Sequence, residues 1–249
     1  MSTPERTAPD GTIAIPSLAG TVIVLREAPQ LQVLMLRRQR TLRFMGGLWA
    51  FPGGAVDATE AGNAHEAARG TAGRIEAAAR AACRELVEEA QLTVRPPQLT
   101  YFAHWITPSR AQRRFDTHFF LALAPANQEP HVHVAESSDL GWIEPGQFAY
   151  RDPPILELPM AAPTQMVLRE LDQCRRLHGS VSSILAQAPS RDILTVMPKL
   201  IEDGMVLFPW DPGYTQAPGE GVDWDATAMA TRSDWPHRLP SASAHPMGR

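Results

Sequence analysis

Cysteine is scarce in this chain, and long apolar runs are absent from it. Only two of the 249 residues are cysteine, Cys83 and Cys174, too few for the disulfide framework of a small secreted domain. No stretch approaches the roughly 18 consecutive apolar residues that suggest a membrane-spanning helix. Residues 1–16 lack the charged start and apolar run of a signal peptide. These absences predict a cytoplasmic protein without a membrane partner.

An excess of basic residues is also missing. The formal net charge is −4 and the pI is about 6.1, so the composition lacks the basic footprint of a nucleic-acid-binding protein. Hydrophobic residues make up 44% of the chain, which is normal for a globular protein with a real core. The length fits one large domain or one domain with an extension.

An acidic helix is the most informative feature. Residues 76–90 contain no glycine or proline and many strong helix formers. On a helical wheel Glu85, Glu88 and Glu89 share one arc, with Arg84 at its edge. That arc adjoins a core-facing stripe formed by Ala79, Ala82, Cys83, Leu86 and Ala90. The arc is either a solvated acidic face with an Arg84–Glu88 pair, or it binds a cation such as Mg²⁺, which prefers hard oxygen ligands.

Strand patterns surround this helix. Apolar and β-branched runs predict strands at 20–26, 31–37, 48–51, 99–107, 115–124 and 141–143. A Pro-Gly-Gly turn at Pro52, Gly53 and Gly54 is expected to end the third strand. Residues 55–75 are interpreted as an inserted loop that could contain one helical turn, and helices are predicted at 163–178 and 180–187.

The residues around the acidic helix resemble the signature of the Nudix hydrolase superfamily. That signature reads Gly, five residues, Glu, seven residues, then Arg-Glu-aliphatic-x-Glu-Glu-x-Gly-aliphatic. Glu76 stands eight positions before Arg84, and the run Arg84-Glu85-Leu86-Val87-Glu88-Glu89 matches, as does Leu92. Gln91 replaces the usual glycine. Residues 55–75 separate Gly54 from Glu76, so about 16 residues are inserted.

Softer motifs resemble one branch, the peroxisomal coenzyme A diphosphatase type. These are the insertion itself, Trp105-Ile106-Thr107-Pro108, Arg114-Phe115-Asp116-Thr117 with Phe119-Phe120, and an extension ending near residues 209–212. The resemblance implies an α/β fold, an α/β/α sandwich with a mixed sheet and a C-terminal helical extension. The expected boundaries are a flexible N-terminus at 1–16, the hydrolase domain at 17–150, the extension packed on it at 151–214 and a disordered tail at 215–249.

The resemblance also implies roles for the signature residues. Glu85, Glu88 and Glu89 would hold one to three Mg²⁺ or Mn²⁺ ions, and Arg84 would pair with one of these glutamates and fix its rotamer. Glu76 would help to lock the loop-helix-loop of the signature, although on the wheel it faces away from the carboxylates. Gly53 and Gly54 would allow close backbone approach to the site.

Three further site residues are candidates with open alternatives. The general base is either a glutamate of the signature or a later acid, for which Glu136 is the candidate, although an exposed loop carboxylate is an equal interpretation. Arg43 and Arg114 are the candidates for binding substrate phosphates. They come from two basic clusters, Arg37, Arg38, Arg40 and Arg43, and Arg110, Arg113 and Arg114, whose members could equally be solvated strand-end charges.

Other polar and aromatic residues are interpreted as structural. His104 and His118 lie in apolar strands and are expected to be core histidines, and Asp116 is expected to tie down a turn. His131 and His133 have spacing for a metal pair, but no cysteine or third histidine is near them in sequence. Trp49, Phe51 and Trp105 are expected in the core.

The expected function is metal-dependent hydrolysis of a small-molecule diphosphate. Coenzyme A or an acyl-CoA is the leading substrate, and a dinucleotide or nucleotide sugar is the alternative. A non-catalytic binding module is a second class, which the intact set of glutamates disfavours. Apolar positions at helical spacing within 163–188 would pack on the domain or form a homodimer.

Overall fold

The computed structural model describes residues 13–42, 45–57, 70–133, 137–148, 159–201 and 206–224. The chain divides into two compact units. The larger unit comprises Leu18–Ala103 and His118–Asp192, and the smaller unit comprises Met1–Ser17, His104–Thr117 and Ile193–Arg249.

The described part of the chain forms ten strands and four α-helices. The strands are β1 (Ser17–Glu27), β2 (Leu31–Arg38), β3 (Trp49–Ala50), β4 (Gly53–Ala55), β5 (Thr100–Ile106), β6 (Phe115–Leu123), β7 (Ser137–Ile143), β8 (Thr195–Val196), β9 (Lys199–Leu200) and β10 (Val206–Leu207). The helices are α1 (Thr71–Ala90), α2 (Pro145–Phe148), α3 (Ala162–His178) and α4 (Val181–Gln187), with short 3-10 helices at Pro96–Gln98 and Ala188–Ser190. No described helix has the length and apolar character that crossing a membrane requires.

The sheet of the larger unit has the strand order β3-β2-β1-β6-β5, with β4 also paired to β1 and β7 to β2. The pairings of β1 with β2, of β1 with β4 and of β2 with β7 are antiparallel. In the smaller unit, β8 runs parallel to the end of β5, where His104 is in register with Thr195. Strands of both orientations confirm the predicted α/β fold with a mixed sheet.

Helix α1 packs directly on one face of this sheet. Its buried stripe joins Val22, Val24, Leu34 and Leu36 in one core cluster, and all five residues predicted on the wheel to face the core belong to it. A Cβ on Gly20 would lie 1.8 Å from the carbonyl oxygen of Ala78. The backbones of β1 and α1 therefore touch where only glycine fits, and this contact fixes the helix against the sheet.

The opposite face of the sheet is buried as well. Ile23, Leu25, Val33 and Met35 alternate with the residues that face α1, and each is 0% exposed. Helix α3 of the same unit also buries an apolar stripe, and α2 contacts both α3 and β2. Burial on both faces is the arrangement expected of a sheet covered by helices on either side.

Three sequence expectations need correction. Helix α1 begins at Thr71 and not at residue 76, so the helical turn allowed within 55–75 is the start of α1, and residues 58–69 lie outside the described part. Gly53 and Gly54 form no turn; they begin β4, which pairs with Thr21 and Gly20 of β1. The C-terminal extension is not helical throughout, because β8, β9 and β10 follow its helices.

The predicted start of the disordered tail, at residue 215, is also too early. Lys199 Nζ donates to the carbonyl of Ala217 at 2.8 Å, and Trp224 Nε1 donates to the carbonyl of Thr195 at 2.8 Å. Glu220 forms an ion pair with Arg114 at 3.0 Å. Residues 215–224 are thus part of the smaller unit, whereas residues 225–249 and residues 1–12 lie outside the described part.

Candidate active site

The three glutamates of α1 form a seam beside the packed stripe of the helix, and their side chains differ in burial. The side chain of Glu89 is 5% exposed, that of Glu85 14% and that of Glu88 55%. The seam therefore starts beside the packed stripe and ends in solvent, as the wheel predicted. A carboxylate as buried as that of Glu89 costs free energy unless hydrogen bonds or a cation stabilise its charge.

Strand β4 lies directly against the two more buried glutamates. The backbone N–H of Gly53 donates to Glu89 Oε2 at 3.0 Å. A Cβ on Gly54 would lie 2.1 Å from Glu85 Oε1, so the carboxylate of Glu85 occupies the space that a side chain would fill. The structure thus brings the predicted residues Gly53, Gly54, Glu85 and Glu89 together.

Arg84 fixes the acidic seam from its solvent side. Its Nη1 donates to Glu85 Oε1 at 2.8 Å and to Glu88 Oε2 at 2.9 Å, while Nη2 donates to the carbonyl of Ala55 at 3.0 Å. Its Nε also lies 3.8 Å from Asp57 Oδ2. Charge-assisted bonds of this kind hold rotamers in place, which is the role that the sequence resemblance implied for Arg84.

A second arginine approaches the seam from the sheet. Arg38 lies at the end of β2, and its Nη1 is 3.9 Å from Glu89 Oε1. Its side chain is on the same face of β2 as Leu34 and Leu36, the face that packs on α1. The sequence placed Arg38 in a basic cluster, but nothing in the sequence distinguished it from Arg37 or Arg40.

The C-terminal end of α1 is held firmly beneath Glu89. Gln91 ends the helix in the left-handed conformation, with φ 56° and ψ 27°, and its N–H donates to Leu86 and Val87. The N–H groups of His131 and His133 donate to the carbonyls of Ala90 and Glu89 at 3.0 and 3.2 Å. These histidines therefore serve through their backbone, which satisfies the helix carbonyls that lack intrahelical partners.

The donor set fits a hard divalent cation. Glu85, Glu88 and Glu89 offer only carboxylate oxygens, which suit Mg²⁺ or Mn²⁺ better than softer metals. Two of the three side chains are largely shielded from water. The three glutamates are therefore the residues of α1 that could hold the metal.

Two predicted residues fall outside the described part, and one lies away from the seam. Arg43 and Glu136 are among the residues that the structure leaves undescribed. The side chain of Glu76 is 70% exposed and pairs with Arg80, also on α1, at 2.7 Å. This geometry favours a surface ion pair for Glu76 and gives no support to a role in locking the loop-helix-loop of the signature.

Arg114 occupies a structural position within the smaller unit. Its side chain is 3% exposed, and Nη2 pairs with Glu220 at 3.0 Å. Its Nε and Nη1 donate to the carbonyls of Thr107 and Ala14 at 3.1 and 2.7 Å. Each guanidinium nitrogen therefore has a partner in the protein, which argues against the predicted contact with substrate phosphate and for a role in tying distant segments together.

The histidines of β5 and β6 lie in polar networks. Within the smaller unit, His104 Nε2 lies 2.5 Å from Asp116 Oδ1, and its Nδ1 lies 2.8 Å from Thr195 Oγ1. Within the larger unit, His118 Nδ1 lies 2.8 Å from the hydroxyl of Tyr101. His104 thus bonds through both ring nitrogens and His118 through Nδ1, both in or near the core as expected, but Asp116 binds a histidine of the neighbouring strand instead of tying down a turn.

The comparisons with known proteins agree with this geometry. The family model for the NUDIX domain matches residues 17–162. Nudix hydrolase 7 of Caenorhabditis elegans is 28% identical to this chain, over 74% of this chain and 70% of that protein. A NUDIX hydrolase from Alicyclobacillus acidocaldarius has a similar structure, with a TM-score of 0.54 and 26% identity over 64% of this chain and 92% of that one. The chain belongs to the NUDIX family and is a hydrolase acting on phosphoric anhydrides.

Proposed function

We propose that this protein is a Mg²⁺- or Mn²⁺-dependent diphosphatase that cleaves coenzyme A or an acyl-CoA to 3′,5′-ADP and a phosphopantetheine. The observation that carries the proposal is the packing of β4 against the carboxylates of α1. Gly53 holds Glu89 through its N–H at 3.0 Å, and Glu85 fills the space beside Gly54. This packing around the glutamates of the sequence signature supports the proposal.

The residues of the seam are preorganised for their task. A bound divalent ion would neutralise phosphate oxygens and lower the pKa of an attacking water. Arg84 and the N–H of Gly53 hold the carboxylates of Glu85, Glu88 and Glu89 in fixed positions before any substrate arrives. Little reorganisation is then needed during the reaction, and electrostatic preorganisation of this kind supplies much of enzymatic catalysis.

Glu136 remains our proposed general base, with a glutamate of α1 as the alternative. Its flanking residues support it, although it lies outside the described part itself. The N–H of His133 donates to the carbonyl of Glu89, and Ser137 is in register with Arg38 on β2. His133 and Ser137 therefore connect to elements that carry the site, and Glu136 lies between these two residues in the sequence.

The choice of coenzyme A is supported by sequence motifs outside the metal seam. They are the insertion after Ala55, Trp105-Ile106-Thr107-Pro108 and the region near residues 209–212. Specificity depends on such segments and not on the fold. A panel of coenzyme A, acetyl-CoA, NADH, ADP-ribose and diadenosine tetraphosphate with Mn²⁺, read by mass spectrometry of the products, tests this choice. A clear preference for a dinucleotide or nucleotide sugar would replace coenzyme A as the substrate.

Glu88→Gln tests the metal assignment with little risk to the fold, because the side chain is 55% exposed. We expect the variant to lose about 100-fold or more in kcat, since metal stabilisation of phosphoryl charge is worth several kcal/mol. Glu76→Gln is the matched control: it makes the same change on the same helix at a side chain that is 70% exposed. If Glu88→Gln retains activity within a few-fold of Glu76→Gln, the assignment of Glu88 to the metal is wrong.

A further inference from the structure

Among the residues that the structure describes, Arg38 has hydrogen-bond donors without partners beside the metal seam. The distance from Nη1 to Glu89 Oε1 is 3.9 Å, so the contact is an ion pair without a hydrogen bond. Its Nε is buried and has no hydrogen-bond partner within the described part of the chain. A buried donor without an acceptor costs free energy, so the protein groups that the structure describes do not fully satisfy this guanidinium.

The backbone of Arg38 is fixed at this place. Its N–H donates to the carbonyl of Leu48 at 2.9 Å, and its carbonyl accepts from the N–H of Gly47 at 3.0 Å. Ser137 of β7 is in register with it, next to an irregularity in the pairing of β2 with β7. The strand therefore fixes the backbone from which the side chain extends towards Glu89, and the side chain is only 26% exposed.

The other arginine of the seam differs in this respect. Arg84 donates to Glu85, Glu88 and the carbonyl of Ala55 at 2.8 to 3.0 Å. Its donors already hydrogen-bond the carboxylates, whereas Arg38 makes only a longer ion pair with Glu89 among the described residues. Arg38 is thus the better placed of the two to contact an incoming anion.

A cation beside a metal-binding carboxylate has two opposite effects. Its positive charge opposes the binding of a divalent ion at Glu89 while no anion is present, because like charges repel. A diphosphate that accepts hydrogen bonds from the accessible part of the guanidinium would neutralise this charge. Metal and diphosphate would then each improve the binding of the other, which is a reciprocal coupling.

We propose that Arg38 couples the binding of the divalent cation to the binding of the substrate diphosphate. It weakens metal binding to the free protein and binds the diphosphate once both ligands are present. The inference rests on the proposed function, because it takes Glu89 as a metal ligand and a diphosphate as the substrate.

The first measurement is Mn²⁺ binding without any anion, followed by electron paramagnetic resonance. Arg38→Met removes the charge and keeps much of the side-chain volume, so we expect Mn²⁺ to bind about fivefold more tightly than in the wild type. Arg38→Gln is a second neutral variant in case the first folds poorly, and Arg38→Lys should resemble the wild type. Arg80→Met is the control, since it removes one positive charge from α1 where Arg80 pairs with the exposed Glu76.

The second measurement is calorimetric binding of α,β-methylene-ADP, a diphosphate analogue that resists cleavage. With Mn²⁺ present, we expect Arg38→Met to bind it about tenfold more weakly, and the mutual enhancement of Mn²⁺ and analogue should fall towards one. A side chain with a purely structural role would weaken both ligands together or neither.

Opposite changes in the two affinities support the coupling role. Looser Mn²⁺ binding in Arg38→Met and Arg38→Gln, or unchanged values for both ligands, overturns it, as does a wild type that binds neither probe. The failure of the proposed function has a different signature: the wild type cleaves no diphosphate of the substrate panel, yet Mn²⁺ and the analogue still enhance each other through Arg38.

Discussion

At the scale of single residues, the site depends on the absence of a Cβ at position 54. Gly54 has no Cβ, and Glu85 uses that space; an added Cβ would lie 2.1 Å from Glu85 Oε1 and 2.4 Å from its carboxyl carbon. Glu85 has little freedom to move away, because Arg84 holds the same oxygen at 2.8 Å. The glycine therefore belongs to the geometry of the carboxylates as well as to the backbone of β4.

Gly54→Ala should accordingly damage catalysis more than stability. We expect the methyl group to displace the carboxylate of Glu85 and to lower kcat/KM with Mn²⁺ by about 100-fold, since small misplacements of catalytic groups can cost that much. Gly141→Ala is the matched control: its Cβ would meet only the ring of Trp49, at 3.7 Å. Steady-state kinetics and thermal unfolding of both variants check this, and equal activity of the two would contradict it.

At the scale of elements, α1 connects the packing against the sheet to the carboxylates of the site. Its first part packs on β1 at Gly20 and Ala78, and its last turn carries Glu88 and Glu89. The N–H groups of His131 and His133 satisfy carbonyls of that last turn. A helix that packs on the sheet at Ala78 and is fixed at its C-terminal end can hold carboxylates in place more accurately than a loop can.

Gln91, which ends this helix, has a strained backbone conformation. Its φ is 56°, a conformation that favours glycine and disfavours residues with a Cβ. We expect Gln91→Gly to raise the free energy of unfolding by about 0.5–1 kcal/mol, the relieved strain exceeding the entropy cost of glycine. Urea denaturation with an unchanged m-value is the measurement.

A glycine introduced inside α1 should change the free energy of unfolding in the opposite direction. Val87 is 43% exposed and lies in the regular part of the helix. Val87→Gly should lower the free energy of unfolding by roughly 0.5 kcal/mol or more, because glycine is a poor helix former. A loss of stability in both variants would show that the left-handed residue carries no strain that glycine can relieve.

Local patterns predicted the middle of α1 well and its surroundings less well. The wheel identified the buried stripe and the seam of glutamates because helical periodicity is a local property. The helix start at Thr71 was missed, since the Ala- and Gly-rich residues before Glu76 show little periodicity. Strand β4 was missed for another reason: glycine is depleted in strands, and Gly53 and Gly54 become a strand only through pairing with β1.

The roles of the arginines could not be predicted from local patterns at all. Arg38 contacts Glu89, which is far away in the chain, and the contact depends on how β2 and α1 pack. Arg114 binds the carbonyl of Ala14, 100 residues away. A charged residue in a basic cluster looks the same in sequence whether it contacts a carboxylate, a carbonyl or a substrate.

At the scale of the whole molecule, the C-terminal segment contributes to the smaller unit. Trp224 bonds the carbonyl of Thr195 through Nε1, and its ring lies 5.5 Å from that of Trp210. Glu220 neutralises Arg114, whose side chain is 3% exposed. Removal of Glu220 would leave a buried guanidinium without its carboxylate, and the loss of a partner of a buried charge is costly.

Two truncations separate these contacts from the residues that follow. Deletion of residues 215–249 removes Glu220 and Trp224, and we expect it to lower the free energy of unfolding by about 3 kcal/mol or more through the lost ion pair, hydrogen bonds and ring contact. Deletion of residues 225–249 retains all of those contacts, so we expect it to lower the free energy of unfolding by less than the longer deletion does. Chemical denaturation of both proteins and of the full chain gives the comparison. Equal stability of the two truncated proteins would mean that the segment at 215–224 adds nothing to the smaller unit.

A further single variant, Glu220→Gln in the full chain, isolates the ion pair with Arg114. Its cost in free energy of unfolding should account for part of the difference between the two truncations.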